Sequence, residues 1–258
     1  MANYIDKEIL AEAYTHLDID TFHDKERLAK LEKELKAFFS ERASFIFETD
    51  VEIVIEFEEG SLKTRVIALG SAAAIIGTVI CNYPSFKDGI KSLSNDAASI
   101  AQAANIEVIF RTKTPYCDRL RIEKRRGVFG RVESLLVELE SIREDFESSK
   151  MPTTRRAIDE VEKTNSRLIE WDERFEKVLS KLDAGDTQAC IADGLRKELL
   201  QFPAKLPWQD ELSSGSLNSK MVSSDPKVNA GAHGAIARYA AIRKNSLARL
   251  KAVIDQNK

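Results

Sequence analysis

Residues 128–182 read VFGRVESLLVELESIREDFESSKMPTTRRAIDEVEKTNSRLIEWDERFEKVLSKL, and this stretch decides the architecture of the C-terminal half. Val128, Val132, Leu135, Leu139, Ile142 and Phe146 recur at alternating steps of four and three. After a break, Ile158, Val161, Asn165, Leu168, Asp172, Phe175, Leu179 and Leu182 resume the rhythm. Such spacing keeps one seam on one side of a helix, and an apolar seam has to be buried against a neighbour. Ser148 to Thr154, with Pro152 and two threonines, has the composition of a turn running into a capped helix start. The stretch therefore predicts an antiparallel helical hairpin. Asn165 and Asp172 fall on the seam itself, where polar groups give up stability for register or partner choice.

Upstream, VEIVIEFEEGSLKTRV at 51–66 reads as a β-hairpin turning at Glu59-Gly60. Folding it there sets Phe57 opposite Leu62, Ile55 opposite Thr64, Ile53 opposite Val66 and Glu56 opposite Lys63. One face is then apolar, and the other carries Glu52, Glu56, Glu58, Lys63 and Arg65. Helical spacing covers Asp6–Leu17 and Asp24–Arg42. A further apolar helix is expected from about Val66 to Tyr83, and another from Pro84 to Ala104. Ile106-Glu-Val-Ile-Phe110 alternates, so a third strand is expected over 106–112.

The expected fold is α+β: a small antiparallel or mixed sheet, hairpin 51–66 plus strand 106–112, packed on helices and followed by an α-helical hairpin or bundle. Four segments are expected: a head domain at 1–113, the helical hairpin at 114–202, a Pro/Ser-rich linker at 203–228, and a basic amphipathic helix at 229–258. Leu206, Trp208 and Leu212 are placed to pin the start of the linker.

Composition narrows the function without assigning it. The 258 residues carry a net charge of -3 and are 43% hydrophobic, so the chain as a whole has no charge bias toward nucleic acid or acidic lipid. Cys81, Cys117 and Cys190 are few and dispersed, which points to reduced thiols and cytoplasmic residence. Met1–Leu17 holds Asp6, Glu8 and Glu12 and lacks the pattern of a signal peptide. The uncharged run Val66–Cys81 spans 16 residues, short of the ~20 that cross a bilayer. That length argues against a membrane segment, and a membrane-acting effector using 66–81 is the weakest reading.

Local chemistry is sparse. No G-x-S-x-G, G-x-x-x-x-G-K-[ST] or G-x-G-x-x-G is present, so no catalytic residue or cofactor is expected from motifs, and no small-molecule ligand is indicated. His16, Asp20 and His23 have ligand chemistry for a transition metal but no recognised spacing, and capping of the next helix by Asp20 or Thr21 accounts for the segment better, so no metal site is expected. Arg111, Lys113, Arg119, Arg121, Lys124, Arg125 and Arg126, set against Asp118 and Glu123, form the strongest basic patch. Arg119, Arg121, Lys124, Arg125 and Arg126 are its candidate contacts to phosphate or nucleic acid. On the C-terminal helix, Ile236, Tyr239, Leu247, Leu250 and Ile254, with Arg243, form a candidate docking face for a protein partner or for self-association. The leading expectation is a non-enzymatic interaction, scaffold or regulatory protein, with a nucleic-acid-binding accessory as the alternative.

Overall fold

A computed structural model describes residues 8–20, 24–58, 61–80, 83–182, 185–213 and 225–257. The chain divides into two compact units, 1–133 and 134–258, with the boundary inside a helix. The fold is α+β. Among the described residues there are four strands, all antiparallel to their neighbours, and eight α-helices.

The first unit holds the sheet, in the order β2(Glu52–Glu58)-β3(Leu62–Gly70)-β1(Glu8–Leu17)-β4(Arg119–Arg125). The sequence pattern predicts a helix over β1, since Glu, Leu and Ala are good helix formers. It is instead a central strand, hydrogen-bonded to β3 on one side and β4 on the other. Pairing on both edges outweighs a propensity worth only tenths of a kcal/mol per residue. The hairpin β2–β3 keeps the expected faces but shifts its register by two residues. Glu58 lies opposite Lys63, Glu56 opposite Arg65 and Ile55 opposite Val66. A shift of two leaves every side chain on its own face, so Ile53, Leu62 and Val66 are still buried. The turn at Glu59-Gly60 lies outside the described residues.

The apolar run after the hairpin is divided. Its first part completes β3, and only Ala72–Ile80 is helical, as α2. Among the described residues no helix is long and apolar enough to cross a membrane. Ile67, Leu69, Ala72, Ile75 and Ile76 are buried instead. Cys81 lies outside the described residues.

The sheet face bearing Ala13, Thr15 and Leu17 is covered by two helices, α1(Lys25–Phe47) and α3(Phe86–Thr112). Asp24 caps α1, accepting from the Arg27 amide, and Leu31, Leu35, Phe39, Ala43 and Phe47 recur every fourth residue down its buried side. Ser85 caps α3 in the same way through Asp88 N–H. α3 runs straight through the segment expected as strand 106–112. The stripe Ala97, Ile100, Ala101, Ala104, Val108 continues unbroken at helical spacing, and no Gly or Pro interrupts it. Of the alternating trio Ile106, Val108 and Phe110, only Val108 is buried. The helix ends where Lys113 turns left-handed, just before Thr114-Pro115.

The missing outer strand is β4, in the basic segment expected to be helical. Gly127 follows it at φ +52, with its Cα against the β1 backbone. An added Cβ would lie 2.1 Å from the Ile9 carbonyl oxygen and 2.5 Å from that of Leu10.

In the second unit the expected hairpin forms, from the end of α4(Gly127–Glu147) and α5(Arg155–Leu179). Its antiparallel register is marked by side chains: Trp171 Nε1 donates to the Leu135 carbonyl at 2.9 Å, Arg174 pairs with Glu138, and Arg167 pairs with Asp145. Leu139 and Leu168 are both buried in that seam. α6(Asp186–Leu200) and α8(Pro226–Gln256) complete the bundle, with α8 packed on α5 and α6. The segment expected as a linker pinned at its start is anchored through 212. Leu206, Trp208 and Leu212 are buried, Trp208 Nε1 donates to Ser149 Oγ at 3.1 Å, and Gln209–Ser213 forms a short helix, α7. Residues 214–224 of that linker lie outside the described residues.

Candidate interaction surface

The helices expected to present partner-binding faces turn those faces into their own unit. Tyr239 and Leu250 are buried, while Ile236, Leu247 and Ile254 are partly so. The Tyr239 hydroxyl donates to the Pro203 carbonyl at 2.6 Å, its ring packs at a tilt of 52° against Phe146 with centroids 4.4 Å apart, and Arg243 donates to the Phe202 carbonyl. Burial pushes the Tyr239 phenol up to about 12. The two polar seam residues are answered by the same helix. Asn165 Nδ2 donates to the Ala235 carbonyl at 3.2 Å, and Asp172 Oδ2 accepts from Arg249 at 2.6 Å. Burial holds the Asp172 carboxyl above its ordinary range, against the pull of the Ser246 hydroxyl and the Arg249 guanidinium. Asn165 and Asp172 thus fix α8 within the unit. Both residues are engaged by α8, although Asn165 Oδ1 and Asp172 Oδ1 are buried without a hydrogen-bond partner among the described residues.

The basic patch is likewise engaged internally. On the sheet face opposite the helices, ion pairs run from strand to strand. Glu56 on β2 pairs with Arg65 on β3 at 2.6 Å, Arg65 with the buried Glu12 on β1 at 3.0 Å, and Glu12 with Arg125 on β4 at 2.9 Å. Glu123 then joins Arg125, at 2.7 Å, to Arg121. The hydrogen bond from Arg125 and the charge of Arg121 hold the Glu123 carboxyl below the usual carboxylate range. Arg111 pairs with Glu34 and Glu107, and Arg126 with Glu133. Arg119 donates to the Thr114 carbonyl and lies over the Tyr116 ring, 5.6 Å from its centroid. Lys124 is exposed. Cations shared among carboxylates in this way have to give up those partners to meet a phosphate.

His16 Nε2 is hydrogen-bonded to Ser61 Oγ, a contact that the sequence spacing does not suggest. Its direct cross-strand neighbours are Lys63 and Arg121. A serine–histidine contact flanked by cations, with no carboxylate orienting the second ring nitrogen among the described residues, is not the arrangement that activates a nucleophile. Among the described residues no three His, Cys, Asp or Glu side chains converge as a metal set. Asp20 is described, whereas His23 lies outside the described residues.

The first unit also exposes large apolar side chains. Among the described residues Ile106, Phe110, Tyr116, Leu120 and Ile122 are between 45% and 85% exposed, and all lie between the last turns of α3 and the edge strand β4. Ile106 and Phe110 flank a groove of ≈ 590 Å³ that is also lined by Glu34, Thr114 and Arg119. Asn105, one residue from Ile106, ties this end of α3 to the sheet. Its side chain accepts from Thr15 Oγ1 at 2.6 Å and donates to the Glu123 carbonyl at 2.9 Å. Ile122 lies opposite Thr15, so it points to the helical side, where it borders α3 instead of being covered by it.

Among the described residues no strand pairs with the outer edge of β4. The Asp18 amide bonds the Asp118 carbonyl, and the Leu62 amide bonds the Ile19 carbonyl. Even-numbered residues of β1 therefore turn toward β4, and odd-numbered ones toward β3. Tyr14 and Glu123, opposite each other, form a hydrogen-bonded pair. By alternation the N–H and C=O groups of Ile122 and Lys124 point away from the sheet. The surface thus joins a strand edge that is unpaired among the described residues to an adjoining apolar strip.

In comparisons with protein-family models, curated proteins and solved structures, the chain matches none.

Proposed function

We propose that the chain is a non-enzymatic interaction protein and that it binds protein through edge strand β4 and the exposed end of α3. The observation that carries this reading is the coincidence of an open strand edge with Ile106, Phe110, Leu120 and Ile122 on one unit. Strand addition draws affinity from main-chain hydrogen bonds and selectivity from side-chain contacts, and this edge offers both. The functional surface therefore belongs to the first unit, not to the hairpin or the C-terminal helix that the sequence pattern favours.

Photo-crosslinking tests the reading. Benzoylphenylalanine replaces Phe110 in one full-length variant and Phe45, an equally exposed phenylalanine on α1, in another. In extract of the source cells, covalent protein adducts should form from position 110 and not from position 45. Adducts from neither position, or equally from both, would refute it.

A further inference from the structure

Resting on the reading just given, we infer that the partner of β4 is β4 of a second copy of this chain, paired antiparallel about a two-fold axis at Ile122. A two-fold axis perpendicular to the sheet keeps both helical layers on one side. It requires like-facing residues to lie opposite each other, so the axis must pass through a residue of the strand. The order Arg121-Ile122-Glu123-Lys124-Arg125 then discriminates among the centres. Centring on Arg121 sets two guanidinium groups face to face. Centring on Glu123 opposes two carboxylates and also brings Arg121 against Arg125. Centring on Lys124 meets two ammonium groups on the axis. Centring on Leu120 brings Arg119 against Arg121. Ile122 alone both places an apolar side chain on the axis and sets Arg121 of each copy opposite Glu123 of the other.

The backbone suits this centre. Ile122 points its amide and carbonyl outward, so the two copies of that residue can exchange both hydrogen bonds across the axis. The register irregularity of β4 falls at Leu120, which has no partner of its own on β1, so the regular row ends at Arg121 and Arg119 is not carried opposite Arg125. On the helical side, Ile106 and Phe110 of each copy flank the paired Ile122 side chains, which gives the seam an apolar layer beneath its ionic one. The other outer strand, β2, bears Glu52, Glu56 and Glu58 and has no residue about which its charges become self-complementary.

The test uses full-length protein in analytical ultracentrifugation across a concentration series. Wild type should reach a dimer and go no further. Arg121→Glu alone opposes the new carboxylate to Glu123 of the other copy. Glu123→Arg alone opposes the new guanidinium to Arg121 of the other copy. Each should weaken dimerisation by about tenfold or more. In an equimolar mixture of the two single variants, the heterodimer sets a carboxylate against a guanidinium at both crossings, so mixing should restore the dimerisation that each variant alone has lost. A second rescue is the double variant Arg121→Glu/Glu123→Arg, which exchanges the two charges and restores both opposite-charge pairs across the axis. It should recover dimerisation to within about threefold of wild type. In wild type, hydrogen exchange should also show protection of the Ile122 and Lys124 amides that rises with protein concentration. This readout holds even where a variant fails to fold.

Three results would overturn the inference: a monomer at about 100 µM, the concentration of a weak complex; a dimer whose double variant shows no recovery; or an open series of oligomers, which would join β4 of one copy to the acidic β2 of the next. A monomer whose position 110 still crosslinks to a different protein would remove the second copy as partner while leaving the interaction surface intact. A monomer without such adducts would remove both.

Discussion

Gly127 gives the sharpest test of how the first unit closes. Its φ of +52 alone makes a side chain there unfavourable by about 1–2 kcal/mol. The larger effect is spatial. A Cβ would sit 2.1 Å from the Ile9 carbonyl oxygen and 2.5 Å from that of Leu10, where even a close C···O contact needs about 3.3 Å. Both oxygens belong to the backbone of the central strand, which is held by β3 and β4, so neither can rotate aside as a side chain would. Displacing it carries the penalty of overpacking, about 1–3 kcal/mol. Gly127→Ala should therefore destabilise the first unit by about 2–5 kcal/mol. Gly77 provides the control: it lies in α2 with nothing within 4 Å of an added Cβ, and Gly77→Ala should gain about 0.5–1 kcal/mol from helix propensity. Urea unfolding by far-UV circular dichroism, with hydrogen exchange at the β1 amides to localise the loss, measures both. Gly127→Asn separates the two causes, because asparagine tolerates the left-handed region but still carries a Cβ. If Asn is as damaging as Ala, the close approach dominates. A Gly127→Ala protein as stable as wild type would refute the argument.

In the second unit, Leu168→Ala should cost about 2–4 kcal/mol by leaving a cavity in the α4–α5 seam, read by the fluorescence of Trp171 and Trp208, both of which lie in this unit. Arg249→Ala strands the buried Asp172 carboxylate and should cost about 1–3 kcal/mol, with Asp172→Asn recovering much of it in the double variant. Because burial raises the Asp172 carboxyl in the folded state, the folded chain holds that proton more tightly than the unfolded one. Its favourable contribution is complete below the unfolded value and is lost as pH rises through the folded one. Wild type should therefore lose stability relative to Asp172→Asn as pH climbs through the carboxylate range; a relative gain would mean that the ion pair outweighs burial. Tyr239→Phe removes the donor to the Pro203 carbonyl, and denaturation should show a loss of about 1 kcal/mol.

The parts of the fold legible in the sequence are those whose periodicity has one interpretation. The seam of α4 and α5 repeats long enough to exclude a strand, and the faces of β2 and β3 survive a register error because the error is an even number of residues. The misread elements carry patterns that belong equally to two structures. Ala11, Ala13, Thr15 and Leu17 alternate in β1, but Glu, Ala and Leu dominate its composition, and what decides it is pairing with β3 and β4, both distant in sequence. Ile106, Val108 and Phe110 alternate inside a helix, where their spacing has no structural role and leaves two of the three exposed. In β4 the alternation of Leu120 and Ile122 is present but is masked by five charged neighbours that read as a solvated helix face. The candidate surface is hidden for the same reason: half of it lies in a helix with the alternation of a strand, and half in a strand with the charge pattern of a helix.

The position of β1 between β3 and β4 has a consequence for the order in which the chain can fold. Of the four strands, the one synthesised first is the one that needs the latest partner, since β4 closes on it only after residue 125 has been made. Contacts of such separation are slow to form, because the loop must close before any pairing rewards it. Until then Glu12 lacks Arg125, and β1 presents a bare edge of its own. A fragment ending at Lys113, the boundary that sequence pattern suggests, would stay at that point indefinitely. It should aggregate through β1, whereas a fragment carried past Glu133 can complete its sheet.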